Sequence, residues 1–271
     1  MRIDVDSLND PLLEPYRELK SAKAERRAGL FVTEGEKLAV RLLESPFDVH
    51  SVLVGPKYLE RIEPLVPEAV PLLVAEESLV EQLVGFKFHR GVLACGHRQP
   101  GMPIAALTAD TAQPLTLVIC PEVHDAENLG SLLRIGAALG VDAVIVGPQC
   151  CDPFSRRVLR VSMGAVLRMP LVLSRDLPGD LQRLAGEGQV ELFASVLDPA
   201  AEELSAVKRN RRVGLLLGSE GHGLSPELIS LCQRRVTIPM QPGIDSLNVA
   251  VAAGILLYHF CRDATEPTRP H

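Results

Sequence analysis

The 271-residue chain has 46% apolar and 23% charged residues, which excludes an intrinsically disordered protein and fits one large or two ordinary domains. Its net charge of −6 argues at first sight against a polyanionic partner. Arg nevertheless outnumbers Lys by 22 to 6, and the planar guanidinium suits phosphate groups well. The position of the arginines is therefore more informative than the total charge.

The sequence shows no sign of a targeting or membrane-spanning segment. The amino-terminal residues MRIDVDSLND lack the apolar core of a secretory signal. The longest apolar run, 249–258, is much shorter than the ~18 residues that cross a bilayer. We therefore expect a soluble, cytoplasmic protein with no membrane partner.

The six cysteines show no paired CxxC spacing, and a chain of this length does not need disulfides. We expect reduced, mostly buried thiols. The adjacent Cys150 and Cys151 leave open a redox or metal site, but no second ligand pair stands near them in the sequence. The sequence therefore predicts no bound metal.

The first part of the chain alternates apolar runs with helical patterns, which predicts a small α/β domain over residues 1–98. Asp10-Pro11 is typical of a helix start, and mixed charge over 15–28 predicts a surface helix that ends at Gly29. Residues 99–114 contain three prolines and little periodicity, which is typical of a linker.

From residue 115 onward, short apolar runs alternate regularly with helical segments. This pattern indicates a parallel sheet covered by helices on both faces, with ligands at the carboxyl ends of the strands. The predicted strands are 115–120, 143–146, 171–173, 192–197, 213–217 and 236–238, and the predicted helices are 129–139, 153–167, 226–232 and 247–261. We expect a domain over residues 115–262 followed by a flexible tail over 263–271.

Residues 128–140, NLGSLLRIGAALG, follow the first of these strands. Their helix is apolar on nearly every side except at Arg134. Because an unpaired buried charge is costly, Arg134 should be paired or directed at a ligand. An ion pair with Glu122, Asp125 or Glu127 is the structural alternative.

Residues 215–225, LLLGSEGHGLS, place three glycines directly after a strand. Glycines allow the backbone to approach a ligand closely. The GxxGxG spacing is neither a dinucleotide fingerprint nor a Walker loop, which argues against a nucleotide-cofactor oxidoreductase. The alternative is a tight turn in which Glu220 is solvated and His222 is an ordinary loop residue.

Residues 238–260 combine a Pro-Gly turn with a strongly apolar helix. Asp245 or Ser246 would serve well as the N-cap of this helix. Asn248 is anomalous because a buried amide needs hydrogen-bond partners and the apolar run supplies none. A local helix-cap role for Asn248 is the alternative.

Taken together, the three segments resemble the ordered motifs of the SpoU (TrmH-type) RNA ribose 2′-O-methyltransferases of the SPOUT superfamily. The matching patterns are Asn128-x-Gly130-x-x-x-Arg134, LGSEGHGLS and IPM-x-x-G-x-x-SLNVAVAAGILLY. The patterns NDP at 9–11 and RRAGLFVTEG at 26–35 also resemble the substrate-binding domain often fused to this family. Ala126 departs from the family pattern, which often has proline at this position, and this puts substrate geometry in question.

The resemblance implies an α/β fold with a C-terminal deep trefoil knot, a homodimer, and S-adenosylmethionine bound in the knot mainly by backbone groups. The implied cofactor-binding positions are Leu217, Gly218, Ile238, Met240 and Leu247. The implied catalytic residues are Arg134, Asn128, Glu220, Ser246 and Asn248, with Arg134 central. In-line methyl transfer needs no metal, and a protonated guanidinium is better suited to bind phosphate or an alkoxide than to act as a base.

Five arginines and no acidic residue lie between residues 154 and 175. On one amphipathic helix, four of them would share about a third of the circumference, and these are Arg156, Arg157, Arg160 and Arg168. Such a face suits RNA phosphates, with a merely solvated face as the alternative. We expect an RNA partner, ribosomal RNA rather than transfer RNA, and keep transfer RNA and a catalytically silent RNA-binding protein as alternatives.

Overall fold

The computed structural model describes residues 1–17, 29–85, 91–219, 221–241, 243–244 and 246–262. The chain forms two compact units, and each unit combines two stretches of sequence. The first unit contains residues 1–99 and 153–168, and the second contains residues 100–152 and the chain from residue 169 onward.

A mixed five-stranded sheet forms the centre of the first unit, in the order β1-β4-β3-β5-β2. Its strands are β1 (Arg2–Asp4), β2 (Leu30–Glu34), β3 (Val49–Val54), β4 (Leu72–Val74) and β5 (Val92–His97), and its helices include α1 (Glu36–Leu43), α2 (Pro56–Ile62) and α3 (Glu77–Val84). The strands β1, β4 and β3 are parallel, whereas β5 runs antiparallel to β3 and β2. The helix predicted over 15–28 lies mostly outside the described residues, and Pro11–Tyr16 forms a 3-10 helix.

The second unit contains a seven-stranded sheet in the order β10-β12-β9-β11-β6-β7-β8. Its strands are β6 (Leu115–Cys120), β7 (Ala143–Val146), β8 (Leu171–Leu173), β9 (Glu191–Ser195), β10 (Glu202–Glu203), β11 (Arg212–Leu216) and β12 (Arg234–Thr237). All neighbouring strands are parallel, which confirms the predicted parallel sheet. The short strand β10 was not predicted.

Helices cover both faces of this second sheet. They are α4 (Ala105–Thr108), α5 (Ala126–Leu139), α7 (Leu177–Gly186), α8 (Pro226–Ser230) and α9 (Val249–Arg262), while α6 (Arg156–Val161) belongs to the first unit. Leu192 packs in one apolar cluster with Leu181 of α7, whereas the ring of Phe193 lies 4.9 Å from that of Phe260 in α9. Adjacent strand residues point to opposite faces, so α7 and α9 lie on opposite sides of the sheet.

The helix predicted over 153–167 is broken, and this prediction was wrong. The α-helix ends at Val161, Met163 and Gly164 have φ angles of 52° and 75°, and a 3-10 helix follows over Ala165–Leu167. A left-handed backbone at two successive residues cannot continue a right-handed helix. Phe154 packs its ring 5.2 Å from that of Phe31, and these residues cluster with the first unit.

The segment predicted as a linker, 99–114, is largely an ordered part of the second unit. Ile104 and Leu107 are buried in its core, on either side of the start of α4. The buried Arg212 guanidinium donates hydrogen bonds to the backbone oxygens of Leu107, Asp110, Gln113 and Gly188. The proline-rich composition therefore reflects an irregular path that is held by Arg212 and by the apolar contacts of Ile104 and Leu107.

Among the described residues, no helix combines the length and the apolar character that a bilayer crossing requires.

Candidate functional site

A cavity of about 530 Å³ lies in the second unit, beyond the carboxyl ends of three adjacent strands. Its walls come from the residues that follow β9, β11 and β12 and from the start of α9. Ligands bind at this edge in parallel α/β sheets, and the volume is within the range of small-molecule pockets. The cavity therefore lies where the alternating sequence pattern predicted a ligand site.

The glycine-rich loop after β11 forms one wall of this cavity. Ser219 and Gly223 exchange two backbone hydrogen bonds of 3.1 and 3.0 Å, and Gly223 has a φ angle of 66°. A Cβ atom on Gly218 would lie 2.4 Å from the carbonyl carbon of Gly223. Only glycine fits at 218, so the loop is a tight turn and also exposes backbone to the cavity.

All five predicted cofactor-binding residues line the cavity, namely Leu217, Gly218, Ile238, Met240 and Leu247. Ser246, predicted to be catalytic, lines it as well. Glu220 and Asp245 lie outside the described residues. The described wall combines apolar side chains and accessible backbone with a few polar side chains, which is the usual lining of a small-molecule pocket.

Asn248 lies next to the cavity and bonds to Asn128, although the two residues are 120 positions apart in the chain. Its Nδ2 donates to Asn128 Oδ1 at 2.9 Å, while its Oδ1 accepts from the amides of Ala250 and Val251. The side chain is exposed, so the expected buried amide without a partner was wrong. Asn248 caps α9 and, in addition, ties α9 to α5.

The helices α5 and α9 run side by side in the same direction. Their amino-terminal ends meet at the two asparagines, and two turns further on a Cβ atom on Gly254 would lie 3.8 Å from Ile135 Cδ1. Small residues on α9 thus permit the close approach that the sequence suggested. The second and third motifs share one cavity wall, and Asn128 joins the first motif to it.

Arg134 is exposed on α5, and the expectation that it is buried was wrong. Ala137 and Ala138 are also exposed, because this side of the apolar helix does not face the core. Among the described residues, no ion pair involves Arg134; Glu122 pairs with His124 at 3.3 Å, and Asp125 caps α5. The predicted structural alternative is therefore absent from the described part of the chain.

The predicted arginine face on 153–168 does not form on one helix, because Arg168 lies beyond the break that follows Val161. Arg156 lies 3.5 Å from Glu34, with 21% and 15% of the two side chains exposed, and Arg168 bonds to Glu44 at 3.0 Å. The sequence window contains no acid, but distant glutamates of the first unit supply the countercharge. Arg157 is exposed and Arg160 is half-buried on α6.

Two residues that form a salt bridge in the cavity wall were not predicted from the sequence. Arg235 Nη1 donates to Asp198 Oδ2 at 2.7 Å, and both residues line the cavity. They lie 37 positions apart and belong to no motif. Only strand order could have indicated them, because Asp198 follows β9 and Arg235 lies on the neighbouring strand β12.

The adjacent cysteines at 150 and 151 are accounted for by hydrogen bonds and by burial. Cys150 Sγ donates to the backbone oxygen of Cys120 at 3.0 Å and accepts from the amide of Val123 at 3.3 Å. Burial raises the pKa of the Cys151 thiol to about 12. No group of three His, Cys, Asp or Glu side chains suited to a metal occurs in the described residues.

Comparisons with known proteins place these motifs in context. A model of the SpoU rRNA Methylase family matches residues 115–258. A protein of Mycobacterium tuberculosis (strain H37Rv), named as an uncharacterized tRNA/rRNA methyltransferase, is 35% identical over 96% of this chain and 91% of its own length. The 23S rRNA (guanosine(2553)-2'-O)-methyltransferase RlmP of Bacillus subtilis is 29% identical over 94% of this chain and 98% of its own.

Solved structures give the same result for the fold. The AdoMet-bound rRNA methyltransferase from Sinorhizobium meliloti superposes with a TM-score of 0.85, at 25% identity, over 98% of this chain and 99% of that chain. The SpoU methyltransferase AviRb from Streptomyces viridochromogenes superposes with a TM-score of 0.78 at 23% identity, over 93% and 96% of the two chains. The similarity therefore extends over both units.

Proposed function

The chain belongs to the SpoU rRNA methylase family, and we propose that it uses S-adenosylmethionine to methylate a ribose 2′-hydroxyl of RNA. The observation that carries this proposal is the meeting of three sequence motifs at one site. The glycine loop and the stretch from Ile238 to Leu247 line one cavity, and Asn248 ties its wall to Asn128.

The cavity fits S-adenosylmethionine in shape and chemistry. Gly218 gives close access to backbone groups, and Leu217, Ile238 and Leu247 provide apolar surface for an adenosine moiety. Met240 and Ser246 complete this part of the wall. When bound, the cofactor supplies an electrophilic methyl group on a sulfonium sulfur, so no metal is required for the transfer.

The remaining task of the protein is to position the ribose and stabilise its oxygen. The exposed Arg134 is available to bind a phosphate of the substrate or the developing alkoxide, since a guanidinium stays protonated and is not a base. Asn128 and Asn248 hold the amino-terminal ends of α5 and α9 together, which fixes α5, the helix that carries Arg134, against the helix that begins at the cavity wall. The proton of the hydroxyl leaves through another group or through water. Glu220 remains part of the proposed catalytic set.

The proposal includes the trefoil knot and a homodimer. The knot is supported by the return of the chain from the β12 edge past the glycine loop to pack α9 against α5. The dimer is supported by Val251, Ile255 and Tyr258, which expose an apolar stripe at helical spacing along α9. A second copy of this chain would cover the stripe, and sedimentation velocity of the purified protein tests it.

Ribosomal RNA is the proposed substrate, and a cytoplasmic location follows from it. The first unit would bind RNA, with the exposed Arg157 and the half-buried Arg160 of α6 as phosphate contacts. Because Glu34 and Glu44 neutralise the arginines at either end of the segment, non-specific affinity for RNA should be modest. Transfer RNA is the alternative substrate.

The decisive experiment is to delete the gene and map 2′-O-methyl sites in ribosomal and transfer RNA. Loss of one ribosomal site, restored by the wild-type gene and not by a variant with Arg134→Lys, is the expected result. Loss of a transfer RNA site would favour the alternative substrate. No missing site in either pool, together with no S-adenosylmethionine binding in calorimetry, would favour a catalytically silent RNA-binding protein.

A further inference from the structure

The cavity wall contains a charged pair for which the proposed catalytic and cofactor-binding residues give no role. Arg235, on β12, donates to Asp198, which lies just beyond β9, at 2.7 Å. Their side chains are 48% and 35% exposed, so both are accessible to a bound ligand. Among the described lining residues they are the one carboxylate and the one guanidinium.

The pair is pre-organised by the backbone around Asp198. Asp198 Oδ1 accepts from the amide of Ala200 at 2.9 Å, and the Asp198 carbonyl accepts from the amide of Ala201 at 2.9 Å. Asp198 Oδ2 then holds one donor of the Arg235 fork. A guanidinium has five N–H donors, so most of the fork can still bind a ligand.

The neighbouring Arg234 has a structural role on the same strand and serves as a comparison. It lies 4.8 Å over the ring of Phe193 and pairs with Glu202 and Glu191. Successive strand residues point to opposite faces, so Arg235 faces the cavity while Arg234 faces the other way. The Arg235 side chain is therefore directed at the cavity, where Asp198 is its partner.

We propose that Asp198 and Arg235 recognise the α-amino-acid end of S-adenosylmethionine, with Arg235 binding the carboxylate and Asp198 binding the ammonium group. This inference rests on the proposed function. A zwitterion leaves water at high cost unless both charges find partners, and the apolar part of the wall offers none. A fixed guanidinium–carboxylate pair has the complementary charges, and an Arg–carboxylate contact can be bidentate.

Two ligands, one with and one without this group, test the proposal. Calorimetry would compare S-adenosylmethionine with 5′-methylthioadenosine, which keeps the adenosine and the S-methyl group, lacks the amino-acid end and has a neutral sulfur. The difference in sulfur charge is the same for every variant, so a change in the affinity ratio between variants reports on the amino-acid end. The variants are Arg235→Gln and Asp198→Asn. The matched control is Arg183→Gln, which removes an exposed arginine that pairs with Asp180 on α7, outside the cavity lining.

We expect Arg235→Gln and Asp198→Asn to weaken S-adenosylmethionine binding by at least about tenfold and to leave methylthioadenosine binding within about twofold of wild type. Retained methylthioadenosine binding shows that the cavity is folded. Equal weakening of both ligands, or no weakening of either, would overturn the inference. A wild-type protein that binds neither ligand would overturn the proposed function itself.

Discussion

Asn248 Nδ2 donates a hydrogen bond of 2.9 Å to Asn128 Oδ1, and this contact joins the amino-terminal ends of α9 and α5. The orientation of the Asn248 amide follows from its other contacts. Its oxygen accepts from two backbone amides of α9, so its nitrogen must face Asn128. One side chain therefore serves as helix cap and as the link between two sequence motifs.

The two roles of Asn248 can be separated by substitution. Serine is as good an N-cap as asparagine but is too short to reach Asn128, so Asn248→Ser should keep the cap and lose the link. Asn248→Ala should lose both the cap and the link, and its free energy of unfolding should be about 1 kcal/mol lower than that of Asn248→Ser. Urea unfolding and methyl transfer to ribosomal RNA would be measured for both variants. We expect both to lose most activity, and full activity in Asn248→Ser would show that the cap alone matters.

Arg134→Lys should abolish methyl transfer and leave cofactor affinity nearly unchanged. Lysine keeps the charge but lacks the planar fork that binds phosphate or an oxyanion in two contacts. Since Arg134 is exposed on α5 and does not line the cavity, S-adenosylmethionine binding should stay within about twofold of wild type. Single-turnover methylation and calorimetry measure the two effects, with Arg183→Lys as control. Unchanged turnover would contradict the proposed role.

Removing the acid at Glu44 should strengthen RNA binding if the 153–168 segment contacts phosphates. Glu44→Gln frees Arg168 from its ion pair, so RNA affinity should rise and the slope of log K against log salt should steepen by about 1. Glu60→Gln removes another exposed glutamate of the first unit and controls for net charge. Equal effects of the two variants would show that Arg168 makes no specific contact.

The parallel sheet of the second unit could be predicted because its strands are continuous apolar runs, and all six predicted strands are present with shifts of at most two residues. The structure of residues 153–168 could not be predicted in the same way. The left-handed backbone at Met163 and Gly164 breaks the helix, and the acids that pair with its arginines, Glu34 and Glu44, are far away in the sequence. The cavity positions followed from recognisable motifs, whereas the pair of Asp198 and Arg235 depends on strand order alone.

Arg212→Lys should destabilise the protein by about 3 kcal/mol or more. The Arg212 side chain is buried and donates to four backbone oxygens, three in the segment before β6 and one just before β9. The single ammonium group of a lysine cannot reach all four. The neighbouring Arg211 is exposed, and its side chain bonds among the described residues only to the backbone oxygen of Ala112, so Arg211→Lys is the matched control. Urea unfolding measures both. A small loss in Arg212→Lys would mean that the 100–114 segment is held by its apolar contacts.

The half-buried thiols of Cys151 and Cys232 should make the folded protein less stable in alkaline solution. Burial raises the pKa of both Cys151 and Cys232 to about 12, whereas an unfolded thiol titrates near about 8.5. The folded state therefore favours the neutral thiol, and its stabilisation is complete below about pH 8.5 and falls as pH rises toward 12. We expect the free energy of unfolding to decrease from pH 8 to 10, and the decrease to be smaller in a Cys151→Ala, Cys232→Ala double variant.

Iodoacetamide at pH 8 should label both cysteines slowly in the folded protein and rapidly in urea, and rapid labelling of folded Cys151 would instead indicate a reactive thiol.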